Sequence, residues 1–152
     1  MSVALWRGLD GHRLEIARVE WSGGDLRASG TQIGVAYELR YELEPGRLRV
    51  EVVGATVRHI RLDGADFFDL GFSPLFNSLP VVRDRLLEGG PERDYVMRWV
   101  AVPSLEVSES AQRYEPLDTR TIRFRAGAFA ALLHFGPDAL VERYEGLAER
   151  LR

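Results

Sequence analysis

Between Val35 and Val53 the chain alternates apolar and polar side chains with a period of two, and this limits the segment to one kind of structure. Val35, Tyr37, Leu39, Tyr41 and Leu43 occupy every second position, with Arg40 and Glu42 between them. Successive side chains of a strand point to opposite faces, so the pattern describes a strand with one face buried. Pro45-Gly46 follows. Proline presets φ and glycine supplies a positive φ, the type II combination. Leu48, Val50 and Val52 then resume the alternation, and a hairpin from about Val35 to Val53 results.

The same grammar recurs along the chain. Leu14 to Trp21 reads as a strand entered from the Asp10-Gly11 turn and ended by Ser22-Gly23-Gly24-Asp25. Thr56 to Leu62 reads as a strand ended by Asp63-Gly64, and Val81 to Leu87 as one ended by Gly89-Gly90-Pro91. Arg93 to Val102 is rich in Tyr, Val and Trp, and Pro103 interrupts it. Leu105 to Val107, Gln112 to Tyr114, Thr121 to Arg125 and Phe129 to Phe135 complete the strands. Turn signals at this spacing mark an all-β sheet, sandwich or barrel. With 152 residues, no linker and no internal repeat, residues 1–152 are expected to form a single domain.

Two places depart from the period of two. In Ser73-Pro74-Leu75-Phe76-Asn77-Ser78-Leu79-Pro80, serine suits an N-cap and proline the first helical position, while Pro80 disfavours helix at Leu79. The segment reads as a short, unusually apolar helix. After Gly136-Pro137, residues Leu140, Tyr144, Leu147 and Leu151 fall three and four apart, as on an amphipathic helix. A strand from Ala139 to Tyr144 followed by a short terminal helix fits the same residues.

Composition removes several chemistries. There is no cysteine, which excludes disulfides, thiol nucleophiles and thiolate metal sites. All 20 basic residues are arginine, so neither a Schiff-base lysine nor a phosphate-loop lysine exists. His12, His59 and His134 are far apart, and no metal-ligand spacing links them. The net charge of −3 is mixed along the chain, and no basic patch with interleaved aromatics suits a nucleic acid. The longest apolar runs are too short for a transmembrane segment, and the N-terminus has no basic region followed by an apolar one. The expected location is therefore cytoplasmic.

The stretch from Asp69 to Arg83, Asp-Leu-Gly-Phe-Ser-Pro-Leu-Phe-Asn-Ser-Leu-Pro-Val-Val-Arg, resembles the signature of a bacterial family, the putative glycolipid-binding family. Val102-Pro103 with Leu105 and Val107, Gln112 with Tyr114, and Ala139-Leu140-Val141 with Tyr144, Gly146 and Leu147 are similar to its later segments. Phe76 stands where the family has a small hydroxyl residue, Val82 where it has the first of two arginines, and Glu145 where it has a proline. The resemblance implies a mostly β fold, a spiral β-roll in which a many-stranded antiparallel sheet wraps around a single helix. Ser73 to Leu79 is the candidate for that helix. The resemblance also implies a homodimer and a glycolipid or other amphipathic small-molecule ligand.

On this reading the ligand-binding residues are Asn77, Arg83, Tyr95, Trp99, Gln112 and Tyr114, with no catalytic residue, metal or cofactor assigned. Each has a structural alternative. A buried Asn77 must satisfy its amide and can do so against backbone. Arg83 can pair with Asp69 or Asp84 as readily as with an anionic head group. Gln112 and Tyr114 share a strand face, as do Tyr95, Met97 and Trp99, and aromatic stripes serve a core as well as a ligand. An enzyme acting on a sugar conjugate would need two carboxylates across the sugar. Glu15, Asp69 and Glu106 are available, but no spacing selects a pair. A hydrolase-like enzyme and a dimeric interaction module are the alternatives to a binding protein.

Overall fold

The computed structural model describes residues 1–152 and contains thirteen strands in one sheet. The first six are β1 (Ser2–Gly8), β2 (Leu14–Ser22), β3 (Asp25–Gly34), β4 (Tyr37–Glu44), β5 (Arg47–Val52) and β6 (Thr56–Arg61). They are followed by β7 (Phe67–Leu70), a helical segment containing α1 (Ser78–Arg83), then β8 (Arg93–Val100) and β9 (Val107–Pro116). The last four are β10 (Thr121–Ala126), β11 (Phe129–Phe135), β12 (Val141–Tyr144) and β13 (Ala148–Arg150). Their order in the sheet is β6-β5-β4-β3-β2-β1-β13-β12-β11-β10-β9-β8-β7. The first and last strands are neighbours at its middle, and each half of the chain meanders outward from there.

Every pairing is antiparallel except β7 with β8. Parallel neighbours cannot be joined by a tight turn and need a crossover, usually helical. Residues 71–92 provide it. The segment runs as a 3₁₀ turn at Pro74–Asn77, then α1, then a second 3₁₀ turn at Leu86–Glu88. Leu75, Phe76 and Leu79 enter a core shared with β1–β6, while Val81 and Leu86 enter a second core shared with β8–β13. The two faces of β7 divide in the same way. Phe68 and Leu70 belong to the first core, and Phe67 touches both. The β7 end of the sheet is thus rolled inward with both faces covered. This is the spiral β-roll around a single short helix that the family resemblance implies, with one parallel pairing in an otherwise antiparallel sheet.

Several expectations change here. Val81 to Leu87 is helical, not a strand, because it lies on the crossover and buries Val81 and Leu86 rather than alternate residues. Pro80 does not end the helix. It sits in the first turn of α1, where its missing N–H has no helical partner to lose. Val35 is outside the strand, in a two-residue turn with Ala36 at φ 64° and with Gly34 paired to Tyr37. Leu105, at φ 60°, belongs to the turn before β9, which runs unbroken through Gln112 and Tyr114. The C-terminus is strand, and no terminal helix follows. A turn at Gly146, φ 79°, joins β12 to β13, and β13 pairs with β1 to connect the two halves. Leu140 enters the first core and Tyr144 the second, so their helical spacing reflects two separate destinations.

Strand β3 lacks apolar alternation after Ala28 because its partners supply the bulk. The Tyr41 ring lies over Gly30 and the Tyr37 ring over Gly34, each opposite its own cross-strand neighbour. A Cβ at Gly30 would clash with Cζ and Oη of Tyr41. Gly30→Ala is therefore expected to destabilise the fold by about 1–3 kcal/mol through overpacking. Ser29→Ala on the outer face should change it by less than about 0.5 kcal/mol. Denaturant titration of the two variants checks the difference.

Candidate functional site

Residues distant in the sequence converge in the second core. The Asn77 side chain, carried inward by the helical segment, donates from Nδ2 to the Tyr114 hydroxyl on β9 at 3.0 Å. Tyr95 on β8 stacks edge-on against Tyr114 and Phe67, with centroids 5.5 and 5.6 Å apart. Its hydroxyl donates to Asp84 Oδ2 at 2.6 Å. Gln112, opposite Tyr95 in the β8–β9 ladder, donates from Nε2 to Asp69 Oδ2 on β7 at 2.7 Å. Arg83 pairs with Asp84 and not with Asp69, and its guanidinium lies 4.1 Å from the Phe67 ring centroid. Trp99 is level with Asp69 in the parallel ladder and is half-buried. The structure brings all six predicted residues into one neighbourhood, but in different settings. Asn77, Tyr95, Gln112 and Tyr114 are buried, Trp99 is at the edge, and the Arg83 side chain is largely in solvent.

This neighbourhood opens at one end. Strand β10 covers β9 only as far as the Gln112–Ala126 pair, so Ser108 and Ser110 extend beyond it. Phe129, just past that pair, is 51% exposed and contacts Phe124 and Tyr144 at centroid distances of 6.1 and 6.4 Å. Asp69, Ser110, Trp99 and Phe129 thus lie toward the end of the second core that β10 leaves uncovered, a carboxylate, a hydroxyl and two aromatic rings. None of the five main concavities, of about 280–630 Å³, is lined by these four residues; one of about 380 Å³ has Tyr95 and Gln112 in its wall among outward-facing residues of β8 and β9. The helical segment fills the interior between the two cores.

Asp69 is electrostatically unusual. Burial pushes its carboxyl up from 3.8 to about 6, against the opposing effect of the Gln112 hydrogen bond. Its charge also raises the Tyr114 and Tyr144 hydroxyls, which burial has already pushed up further. The folded value lies above the unfolded one, so Asp69 is neutral in both states well below pH 3.8. Stability is then lost as pH rises from 3.8 through about 6. Above that range the charged group costs about 3 kcal/mol.

Glu15, a fully buried carboxylate, is held differently. It accepts from Ser73 Oγ at 2.7 Å, Tyr41 Oη at 2.8 Å and Gln32 Nε2 at 3.1 Å. Burial raises its pKa while these three bonds oppose the rise. Gln32 also donates to the Gly71 carbonyl at 3.1 Å, so the cluster ties β2, β3 and β4 to the start of the crossover. With three donors and no open side, it is a clamp. Glu15 and Asp69 share no hydrogen-bond partner, and Glu106 is exposed in the turn before β9.

The sequence singled out Gln112 and Tyr114 but not the bond from Gln112 to Asp69, nor Ser110 or Phe129. The Asp69–Gln112 contact spans 43 positions, and no local signal reports it. Fold and site together define a spiral β-roll with a polar and aromatic cluster at one end of its second core. The family described as "Putative glycolipid-binding" matches residues 51–150, and the chain belongs to it. A DUF1089 family protein from Pseudomonas aeruginosa, known from its crystal structure, has the same fold. It is 22% identical, with a TM-score of 0.61 covering 99% of this chain and 91% of that one. No curated protein matches the chain. No helix is long and apolar enough to cross a membrane.

Asp69→Asn keeps an acceptor for Gln112 and removes the buried charge. It is expected to raise Tm at pH 7.5 by roughly 5 °C or more and to leave it unchanged near pH 3.5. Thermal denaturation at the two pH values checks this, and equal Tm values at pH 7.5 would show that the carboxylate is well solvated.

Proposed function

We propose that this chain is a binding protein for a glycolipid or a similar amphipathic small molecule, taken at the end of the second core that carries Asp69, Ser110, Trp99 and Phe129. The observation that carries the reading is the convergence of the separated motif residues Asp69, Asn77, Gln112 and Tyr114 beside exposed aromatic rings. Aromatic faces take up apolar surface, and a few fixed polar groups orient a head group. Asp69, Gln112 and Trp99 are the contact residues. Asn77, Tyr95 and Tyr114 form the buried layer beside Gln112, and Arg83 lies at the flank on Phe67. The same reading has the chain act as one domain, as a homodimer, in the cytoplasm.

Native mass spectrometry of protein purified from its own host, followed by denaturation and lipid analysis, tests it. One co-purifying glycolipid per chain or per dimer is the expected result. A protein that is empty as isolated, and that shows no mass shift with a panel of lipids, would remove the binding reading.

A further inference from the structure

Strand β9 has a neighbour on both sides for only part of its length. Its ladder with β8 runs from Val107 to Tyr114, whereas its ladder with β10 begins at Gln112. Residues of an antiparallel strand turn their N–H and C=O alternately to one neighbour and to the other. The Glu106 carbonyl accepts from Ala101 on the β8 side, and the Leu117 N–H donates to Thr121 on the β10 side. Even positions therefore serve β8 and odd positions β10, so the N–H and C=O groups of Val107, Glu109 and Ala111 point past the end of β10. No other strand or loop takes them. Ser108, Glu109 and Ala111 are exposed, and a concavity of about 380 Å³ opens at this step in the sheet, with Ala111 and Gly127 in its wall.

Free edges are commonly guarded by lysine, proline, a bulge or an inward-pointing charge. The edge strand β6 has such a guard, since Arg58 stands opposite the buried Val50 on the inner face. The step in β9 has none. Its inward positions are Ser108 and Ser110, and its register with β8 is unbroken. Its single charge is Glu109, on the outer face. Arg98 lies directly opposite, yet its guanidinium donates to the Leu62 and Asp63 carbonyls, and Glu109 keeps no ion-pair partner. Glu106, exposed in the preceding turn, adds a second unpaired carboxylate. Two copies of this chain joined at the step in full register would set Glu109 against Glu109, and like charges directly opposite are destabilising. Basic side chains are complementary there. We infer that the step takes a strand of another protein, an extended basic segment that adds antiparallel to residues 107–111. Its arginine or lysine side chains lie on the outer face by Glu109 and Glu106, and its apolar side chains turn inward beside Ser108 and Ser110. Backbone groups and Glu109 carry this contact, so it stands apart from the glycolipid reading.

The test is titration of the whole isotope-labelled protein with acetyl-Thr-Val-Arg-Val-Arg-Gly-amide, up to millimolar concentration, followed through the amide resonances. With the first arginine opposite Glu109 and the second opposite Val107, the arginine N–H groups turn toward β9 and the valine N–H groups toward solvent. The amide protons of Val107, Glu109 and Ala111 are expected to move downfield by more than those of Ser108 and Ser110. N-methylation of both arginines should weaken binding by about tenfold or more, because two hydrogen bonds are lost, and N-methylation of both valines by less than about threefold. Glu109→Gln should weaken it by about threefold or more, and the same change at the exposed Glu20 should not. Absence of shifts at Val107, Glu109 and Ala111, equal affinity for the two methylated peptides, or Glu109→Gln binding no more weakly than Glu20→Gln overturns the inference. A wild type that sediments as a dimer and is released to monomer by the peptide also overturns it, and gives the step to a second copy of this chain.

Discussion

The ladder between β7 and β8 is parallel, and the interior of the molecule is arranged around that fact. Antiparallel neighbours can be joined by two residues, but a parallel pair needs a connection that returns to the starting end. Here the connection, residues 71–92, lies inside the curl of the sheet. Its apolar side chains then find a core on each side, with Leu75, Phe76 and Leu79 facing one way and Val81 and Leu86 the other. Full burial of each such side chain stabilises the fold by about 1.5–3 kcal/mol. The crossover therefore welds the two halves of the sheet together.

The two inward-facing carboxylates show how differently one chemical group can be used. Glu15 receives two hydroxyls and an amide, and it anchors the start of the crossover to three strands. Asp69 receives one amide and is only partly buried. A carboxylate with several donors is a structural tie, whereas one with a single donor is destabilising at neutral pH unless something else approaches it. The same logic separates Asn77, whose amide meets Tyr114, from Gln112, whose carbonyl meets nothing.

Much of the sheet was legible residue by residue. Leu39, Tyr41, Leu43, Leu48 and Val50 are buried as the period of two requires, and Pro45-Gly46 turns the chain between them. Strand β3 was not legible, because Gly30 and Gly34 carry no side chain and their space is filled by tyrosines of another strand. Val81 to Leu87 was misread because a short apolar run fits strand and helix alike, and only the parallel crossover distinguishes them. The C-terminal spacing of Leu140, Tyr144 and Leu147 imitated a helix because Leu140 serves one core while Tyr144 and Leu147, on either side of a turn, serve the other. At the candidate site the residue types were visible in advance through the family-like segment, but their bonds were not.

By itself the sequence determined the class of the fold, the positions of most turns and the chemistries that are closed to a chain without cysteine or lysine. These follow from local steric rules and from which functional groups exist. The tertiary structure alone decided what each buried face meets, that Arg83 takes Asp84 while Asp69 takes Gln112, and that one end of the second core stays open. A period of two says which side of a strand is covered but not what covers it. The coiling that sets side chains 37 and 43 positions apart within hydrogen-bond reach is a property of the whole sheet, not of any segment in it.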